Sequence, residues 1–226
     1  MPCYLRPMTD PQISRILVLG GSRGIGREIV RQGLARGLAM RAYARHPEDL
    51  GLDDPALELV AGDATDPAAL AGALEGVDAV AMALGVRLGP QTTLRPVTLF
   101  SEATRALLDA IGARGGPRRL VAVTGFGAGD SRAKVSLLER IPFQLVFARA
   151  YDDKSRQEEM IEASGLDWTL VRPTILTNGP ASQRYKVLEH PSEWRNGMIS
   201  RADVADFVLR CLTEGSHVHA KPVLAR

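Results

Sequence analysis

RILVLGGSRGIGR, residues 15–27, is the stretch on which the fold turns. Arg15 to Leu19 is apolar after its first residue, too short for a helix, and stopped by Gly20 and Gly21, so it reads as a buried strand. From Gly24 to Gly37 the apolar residues Ile25, Ile29, Val30 and Leu34 recur at helical spacing with charges between them, and Gly37 closes the run. The glycines at 20, 24 and 26 thus join a buried strand directly to an amphipathic helix. Such a turn lets backbone come close to a diphosphate, whose charge the amides at the start of the helix can meet. Gly26 additionally permits tight helix-on-strand packing.

The alternation continues outward from that junction. Strands are predicted at Leu38 to Ala44, Leu57 to Ala61, Asp78 to Ala83, Leu120 to Val123 and Trp168 to Val171, and helices at Pro67 to Leu74, Pro96 to Arg114, Asp152 to Ala163 and Arg201 to Leu212. Parallel strands need helical crossovers, so this order predicts a single α/β domain. Its sheet is doubly wound and mostly parallel, with helices on both faces. The domain runs from residue 15 to 226 after a polar arm at 1–14, and its long connections, 125–150 and 174–197, follow the fifth and sixth strands, where substrate pockets are built.

At 226 residues the chain can bury one large core without disulfides or a structural metal. Its two cysteines, Cys3 and Cys211, read as thiols of a reducing compartment, with cytoplasm as the default. A net charge of +2 makes no general case for nucleic acid or an anionic membrane, and no apolar run approaches the length of a membrane span. Glycine and proline, at 22 and 14 residues, punctuate apolar runs rather than forming low-complexity tracts, so many short turns are implied.

The phosphate turn comprises Gly20, Ser22, Arg23, Gly24, Ile25 and Gly26. Selection between dinucleotides falls at the end of the second strand, where a carboxylate would bond the ribose hydroxyls of NAD and a cation would receive the extra phosphate of NADP. The sequence there is Tyr43-Ala44-Arg45-His46, and Arg23 can approach the same region. Two guanidinium forks suit a phosphate dianion, so NADP(H) is preferred, with NAD(H) possible. Asp63, followed by Ala64, either accepts the adenine amino group or caps the turn into Pro67. Ala83, Leu84 and Gly85 offer small residues against which a ribose can press.

Taken together these residues resemble the short-chain dehydrogenase/reductase superfamily, in its atypical single-domain, Rossmann-like NAD(P)H-binding branch. The resemblance spans nearly the whole chain. It rests on the glycine turn, Ala61-Gly62-Asp63, Glu75 to Val80, Ser164 to Pro173 and Ile199 to Ala205. Asp78-Ala79-Val80, Leu84-Gly85-x-Arg87, Thr92-Thr93 and Asp152-Asp153 are similar to runs in the flavin and biliverdin-IXβ reductase group. The resemblance implies NADPH-dependent hydride transfer, with Arg45 on the 2′-phosphate and with Ala83 to Arg87 and Pro173, Thr174 and Ile175 beside the cofactor. It leaves the acceptor open.

Catalytic candidates depart from the superfamily's pattern. Thr124 follows the fifth strand and can supply a hydroxyl, but Gly125 stands where the branch's second serine would fall. The superfamily's tyrosine lies four residues before a lysine, whereas here Ala150 holds that place and Tyr151 is three before Lys154. On a helix that change rotates the side chain by about 100° and shifts it about 1.5 Å, enough to misaim a phenol unless Tyr151 precedes the helix. Lys154 is either a ribose ligand or a solvated helix lysine. Conjugated acceptors need chiefly stacking and hydride geometry, with solvent able to supply the proton, which favours a flavin-reductase-like reaction over alcohol oxidation.

The apolar residues from Leu137 to Phe147 form either a lid or ordinary core. His217 and His219 would share a face of a strand, but without neighbouring ligands they argue for no metal; His46 can assist Arg45, and His190 has no evident role. The first functional reading is therefore an NADPH-dependent reductase of a flat conjugated or carbonyl small molecule. The second is a non-catalytic NAD(P)H sensor, favoured by the altered serine and tyrosine positions. The third is an NAD-dependent epimerase or dehydratase. Oligomeric state is left open.

Overall fold

The computed structural model describes the backbone of residues 13–86, 97–134 and 137–226, with side chains except those of 132–148. Its first half is β1 (Arg15–Leu19), α1 (Gly24–Ala35), β2 (Ala39–Ala44), a 3-10 turn (Pro47–Leu50), β3 (Leu57–Ala61), α2 (Pro67–Ala73) and β4 (Ala79–Met82). There follow α3 (Leu99–Arg114), β5 (Arg119–Val123), a second 3-10 turn (Gly129–Lys134), α4 (Leu137–Glu162), β6 (Asp167–Pro173), β7 (Ile175–Thr177), β8 (Lys186–Leu188), β9 (Met198–Ser200), α5 (Arg201–Thr213) and β10 (Val223–Ala225).

The main sheet has eight strands in the order β3-β2-β1-β4-β5-β6-β10-β8. All its neighbours are parallel except β8, which runs antiparallel to β10 at one edge. The strand order reverses between β1 and β4, so the carboxyl ends of β1, β4, β5 and β6 open onto one crevice, the position at which such sheets bind ligands. This is the Rossmann-like α/β architecture expected from the sequence.

Period-two alternation explains why the strands read as unbroken apolar runs. Leu17 and Leu19 of β1 face a core shared with Leu107 of α3 and Ile161 of α4, while Ile16 and Val18 face Ile29 of α1 and Phe207 of α5. Both faces are covered by helices, so neither alternate set is polar.

The segment 125–150 was expected to be a long connection with a helix starting at Asp152. Instead α4 begins at Leu137 and runs for 26 residues. Over its whole length no single apolar stripe extends along it, and Pro142 in its first half is a residue that sequence reading takes as a helix breaker. The side chains of the proposed lid, Leu137 to Phe147, lie outside the described residues, as do Arg87, Thr92 and Thr93. Strands β7 to β10 went unread because three residues are too few for alternation to register.

His217 and His219 do not share a strand face. They lie in a turn at φ +57° and +56°. His219 packs against Trp168, and its Nε2 donates to the Leu166 carbonyl at 3.1 Å. His217 has neighbours that chain position did not reveal: its Nε2 lies 2.9 Å from Glu189 and its Nδ1 3.8 Å from the buried Cys211 sulfur. Burial pushes that thiol up to about 12, so it is unreactive. Among the described residues no cluster of three or more metal-ligating side chains occurs.

Candidate functional site

The phosphate turn forms as its glycines dictate. Gly20 has φ +82°, and a Cβ there would lie 2.8 Å from the Ala83 carbonyl oxygen, so the turn packs directly on the end of β4. The Ala83 amide completes that contact by donating to Leu19 at 2.9 Å. Leu84 belongs to the same junction, and Gly85 beside it faces open space. A Cβ at Gly26 would sit 2.1 Å from the Gly20 carbonyl, which is the tight helix-on-strand packing expected of that position.

Gly24 differs from both. Its φ is +56°, and a Cβ there would meet only the Cδ and Nε of Arg201, each 4.0 Å away. The amide face of α1 carries no stopper either, since Arg23 at the N-cap makes no side-chain cap bond and no acidic residue occupies the first turn. Ser22 and Ile25 flank this cradle within the same turn.

At the end of β2, Arg45 is exposed, and it attracts Asp63 across the gap to β3. Arg23 is ion-paired with Asp49, which the turn after β2 carries into place. His46 sits 3.3 Å from Glu48 in that same turn. Asp63 accepts bonds from the Thr65 amide at 2.9 Å and the Thr65 hydroxyl at 2.8 Å. These bonds, the amide's foremost, hold its carboxyl below the usual range, with Arg45 assisting. These bonds cap the turn that leads to Pro67, as the second reading of Asp63 has it, while Asp66 is the N-cap of α2 itself. Ala64, next in the chain, is buried in the core. Gly62 allows the Tyr43 hydroxyl to reach the Asp63 carbonyl at 2.9 Å, which fixes this corner.

At the end of β5 the expected catalytic residues divide. Thr124 is buried, and its hydroxyl donates to Glu158 at 2.6 Å, directed inward. Glu158 in turn receives Arg172 at 3.0 and 2.6 Å, and Asp130 lies 2.6 Å from Nη1 of the same guanidinium as an ion pair rather than an aligned hydrogen bond. Burial works against the charge of Arg172, but the bonds and charge of Glu158, reinforced by Asp130, outweigh it and keep the group protonated. Gly129, at φ +51°, leaves room for this pair, since its Cβ would lie 2.3 Å from Glu158. Neither Glu158 nor Arg172 was singled out from the sequence; charges fourteen positions apart at a helix and a strand carry no local signal.

Tyr151 lies within α4, not before it. Its three-residue spacing from Lys154 does not send it away from the site: a Cβ at Gly125 would lie 2.8 Å from the phenolic oxygen, so the missing side chain at 125 makes room for the ring. Burial pushes the phenol up to about 12. Lys154 donates to the Val123 carbonyl at 3.3 Å and stands 4.0 Å over the Phe100 ring. Burial brings its ammonium down to about 8 against the opposing pull of Glu158 and Asp153. Phenol and amine therefore converge on residues 123–125. Asp153 beside them caps α3, accepting the Phe100 amide at 2.8 Å.

The end of β6 completes the crevice. Phe126 donates its amide to the Pro173 carbonyl at 3.0 Å, which ties the two loops together. The Thr174 hydroxyl donates to the Leu224 carbonyl at 2.9 Å and is turned away from the opening. Ile175, which pairs with Met198 in the small sheet, is exposed, as Met198 is.

Compared with known families, residues 20–215 match the NAD(P)H-binding family. The chain belongs to that family. Among its relatives, an uncharacterized chloroplastic protein of Arabidopsis thaliana is 30% identical over 205 residues, covering 88% of this chain and 72% of that protein. The (4-alkanoyl-5-oxo-2,5-dihydrofuran-3-yl)methyl phosphate reductase of Streptomyces griseus is 30% identical over 164 residues, covering 72% of this chain and 49% of that one. The fold is similar to that of the anaerobilin reductase ChuY of Escherichia coli O157:H7, with TM-score 0.74 and 22% identity over 93% of this chain and 96% of that chain. The chain spans about half the length of some curated relatives, 52% and 49% for two of them.

The geometry fits the NAD(P)H that this family binds. The space beside Gly24 is open, and the amino end of α1 has no side-chain cap and no acidic residue in its first turn, the features a diphosphate uses. Arg45 and Asp63 follow β2 and β3, Ala83 to Gly85 follow β4, and residues 123–125 and 173–175 mark the ends of β5 and β6, all at the carboxyl ends of the parallel strands. No helix among the described residues is long and apolar enough to cross a membrane.

Proposed function

We propose that the protein is an NADPH-dependent reductase delivering hydride to a flat conjugated or carbonyl small molecule. The observation that carries this reading is the convergence of Tyr151 and Lys154 on residues 123–125, at the same sheet edge as the Gly24 cradle. Reduced nicotinamide, when bound, supplies the hydride. Arg45 receives the 2′-phosphate, and Arg23 joins it by exchanging its Asp49 partner. Lys154 bonds the nicotinamide-side ribose from its place at the Val123 carbonyl.

Tyr151 keeps its proton at neutral pH and offers it as a hydrogen bond to the acceptor atom that gains electron density. Being so weak an acid, it leaves net proton supply to solvent. Thr124 acts as a positioning residue, because its hydroxyl proton is committed to Glu158. The exposed Ile175 and Met198 form an apolar platform beside the opening for a flat acceptor. The conjugated lactone in the name of the Streptomyces griseus relative, and the anaerobilin of the structural neighbour, support this acceptor class. We place the protein in the cytoplasm, acting on a small molecule without nucleic acid or membrane; the buried, unbridged Cys211 agrees with a reducing compartment.

The test is NADPH oxidation with flavin mononucleotide, biliverdin, quinones and enones. Turnover with any of them supports the reductase. Tight binding with no turnover across the panel refutes it in favour of the sensor, the reading that the inward-turned Thr124 supports.

A further inference from the structure

The glycine turn has a cation opposite it that comes from the far end of the chain. Arg201 is the first residue of α5, and its Cδ and Nε lie 4.0 Å from the Cβ position of Gly24. Its Nη1 donates to Asn178 Oδ1 at 2.7 Å, within the segment after β7. Between the guanidinium and the turn is the space a methyl group would enter.

Three ties hold Arg201 at this place. Ser200 caps α5 by accepting the Asp203 amide at 3.0 Å. The Gln32 side chain of α1 donates to the Ala202 carbonyl at 2.9 Å. Arg36 of α1 pairs with Asp206 of α5 at 2.6 Å. The two helices are thus tied side by side, residues 32 and 36 against 202 and 206, and the Arg201 side chain comes within reach of the amino end of α1 at Gly24.

The electrostatics of that arrangement call for an anion. An arginine at the first position of a helix faces the positive end of its own helix dipole, and here the amino end of α1 faces it as well. Nearby carboxylates are engaged elsewhere. Asp203 accepts the amides of Ser182 and Gln183 and the hydroxyls of Ser182 and Ser200. Asp49 is paired with Arg23. The partner of Arg201, Asn178, is neutral, and among the described residues no carboxylate forms an ion pair with Arg201.

We propose that Arg201 is a diphosphate-binding residue that closes the open side of the glycine turn, and that Asn178 aims it there. The inference rests on coenzyme docking at that turn. In this arrangement one side chain touches both the coenzyme's bridge and the acceptor segment 174–197. It also divides the labour of the arginines: Arg45 reads the 2′-phosphate, whereas Arg201 holds the part common to NADPH and NADH.

The test is direct titration of wild type, Arg201→Ala, Arg201→Lys, Asn178→Ala and Arg45→Ala with NADPH, NADH and adenosine 2′-monophosphate, followed by calorimetry. Loss of a charge-assisted bond to a partly exposed phosphate should weaken NADPH and NADH alike by about tenfold in Arg201→Ala. Adenosine 2′-monophosphate, which has no diphosphate, should bind that variant as it binds wild type. Arg201→Lys should recover part of the loss, and Asn178→Ala should show a smaller loss of the same pattern. Arg45→Ala should weaken NADPH and adenosine 2′-monophosphate only.

Unchanged affinity of Arg201→Ala for both dinucleotides overturns the proposal. So does a loss confined to NADPH and shared by adenosine 2′-monophosphate. Absence of binding by wild type instead removes the coenzyme reading itself. Because Arg201 is only partly buried, the ligand-free melting temperatures of Arg201→Ala and wild type should agree.

Discussion

Adding one methyl group at either of two glycines two residues apart should separate folding from coenzyme binding. At Gly26 the new Cβ would lie 2.1 Å from the Gly20 carbonyl oxygen and 2.8 Å from its carbon. That is about 1 Å or more inside van der Waals contact, and both atoms belong to backbone that cannot rotate aside. Relief requires α1 to retreat from β1, which pulls Ile29 and Val30 out of the core they share with Ile16 and Val18. Overpacking of this kind costs about 3 kcal/mol, a large share of a typical stability of about 5–15 kcal/mol. At Gly24 the new Cβ meets nothing closer than Arg201 at 4.0 Å, so the only penalty is the left-handed φ of +56°, about 1 kcal/mol. That methyl group nevertheless fills the cradle. Urea denaturation should therefore show Gly26→Ala losing about three times the stability that Gly24→Ala loses. Titration with NADPH should show Gly24→Ala binding at least about tenfold more weakly, the equivalent of one lost phosphate interaction. A Gly26→Ala protein within about 0.5 kcal/mol of wild type would refute the packing argument, since that is the range of harmless surface changes. Normal NADPH affinity in Gly24→Ala would refute the assignment of the cradle.

Three further expectations follow from the same geometry. Glu158→Gln should destabilise the protein by about 3 kcal/mol, because Arg172 is left as a buried charge without its principal partner; a urea midpoint equal to wild type would contradict this. Arg45→Asp should weaken NADPH far more than NADH in parallel titrations, and equal losses would remove the specificity argument. Lys154 is lowered from 10.5 to about 8 in the fold, so between those values the unfolded chain holds a proton that the folded one has released. Stability should therefore rise with pH from about 8 to 10.5, fall as pH drops back through 8, and lose this slope in Lys154→Met; an identical pH profile in the variant would count against it.

Much of the architecture was legible because local chemistry and tertiary environment agree. β1 and β3 fall at the boundaries read from their apolar residues: β1 is buried on both faces after Arg15, whereas β3, an edge strand with exposed Glu58 and Leu59, was legible from its aliphatic residues between turns. α1 and α5 were legible from their apolar spacing. α4 was legible only in its second half, as the helix from Asp152; its first half was not, and Pro142, a residue that ordinarily interrupts a helix, falls within it. The three-residue spacing of Tyr151 and Lys154 argued that the phenol would be misaimed. That argument treats the helix alone, whereas the absence of a side chain at Gly125 is what gives the phenol its place.

By itself the sequence determined the strand-turn-helix junction, the parallel α/β order and the glycine cradle, because each depends on residues adjacent in the chain and on backbone freedom that only glycine has. The tertiary structure alone decided which charges meet. Arg23 found Asp49, Thr124 turned inward to Glu158, and Arg201 came to rest across from Gly24. Pairings of that kind depend on how helices dock over the sheet, and Coulomb attraction follows distance in space rather than separation along the chain.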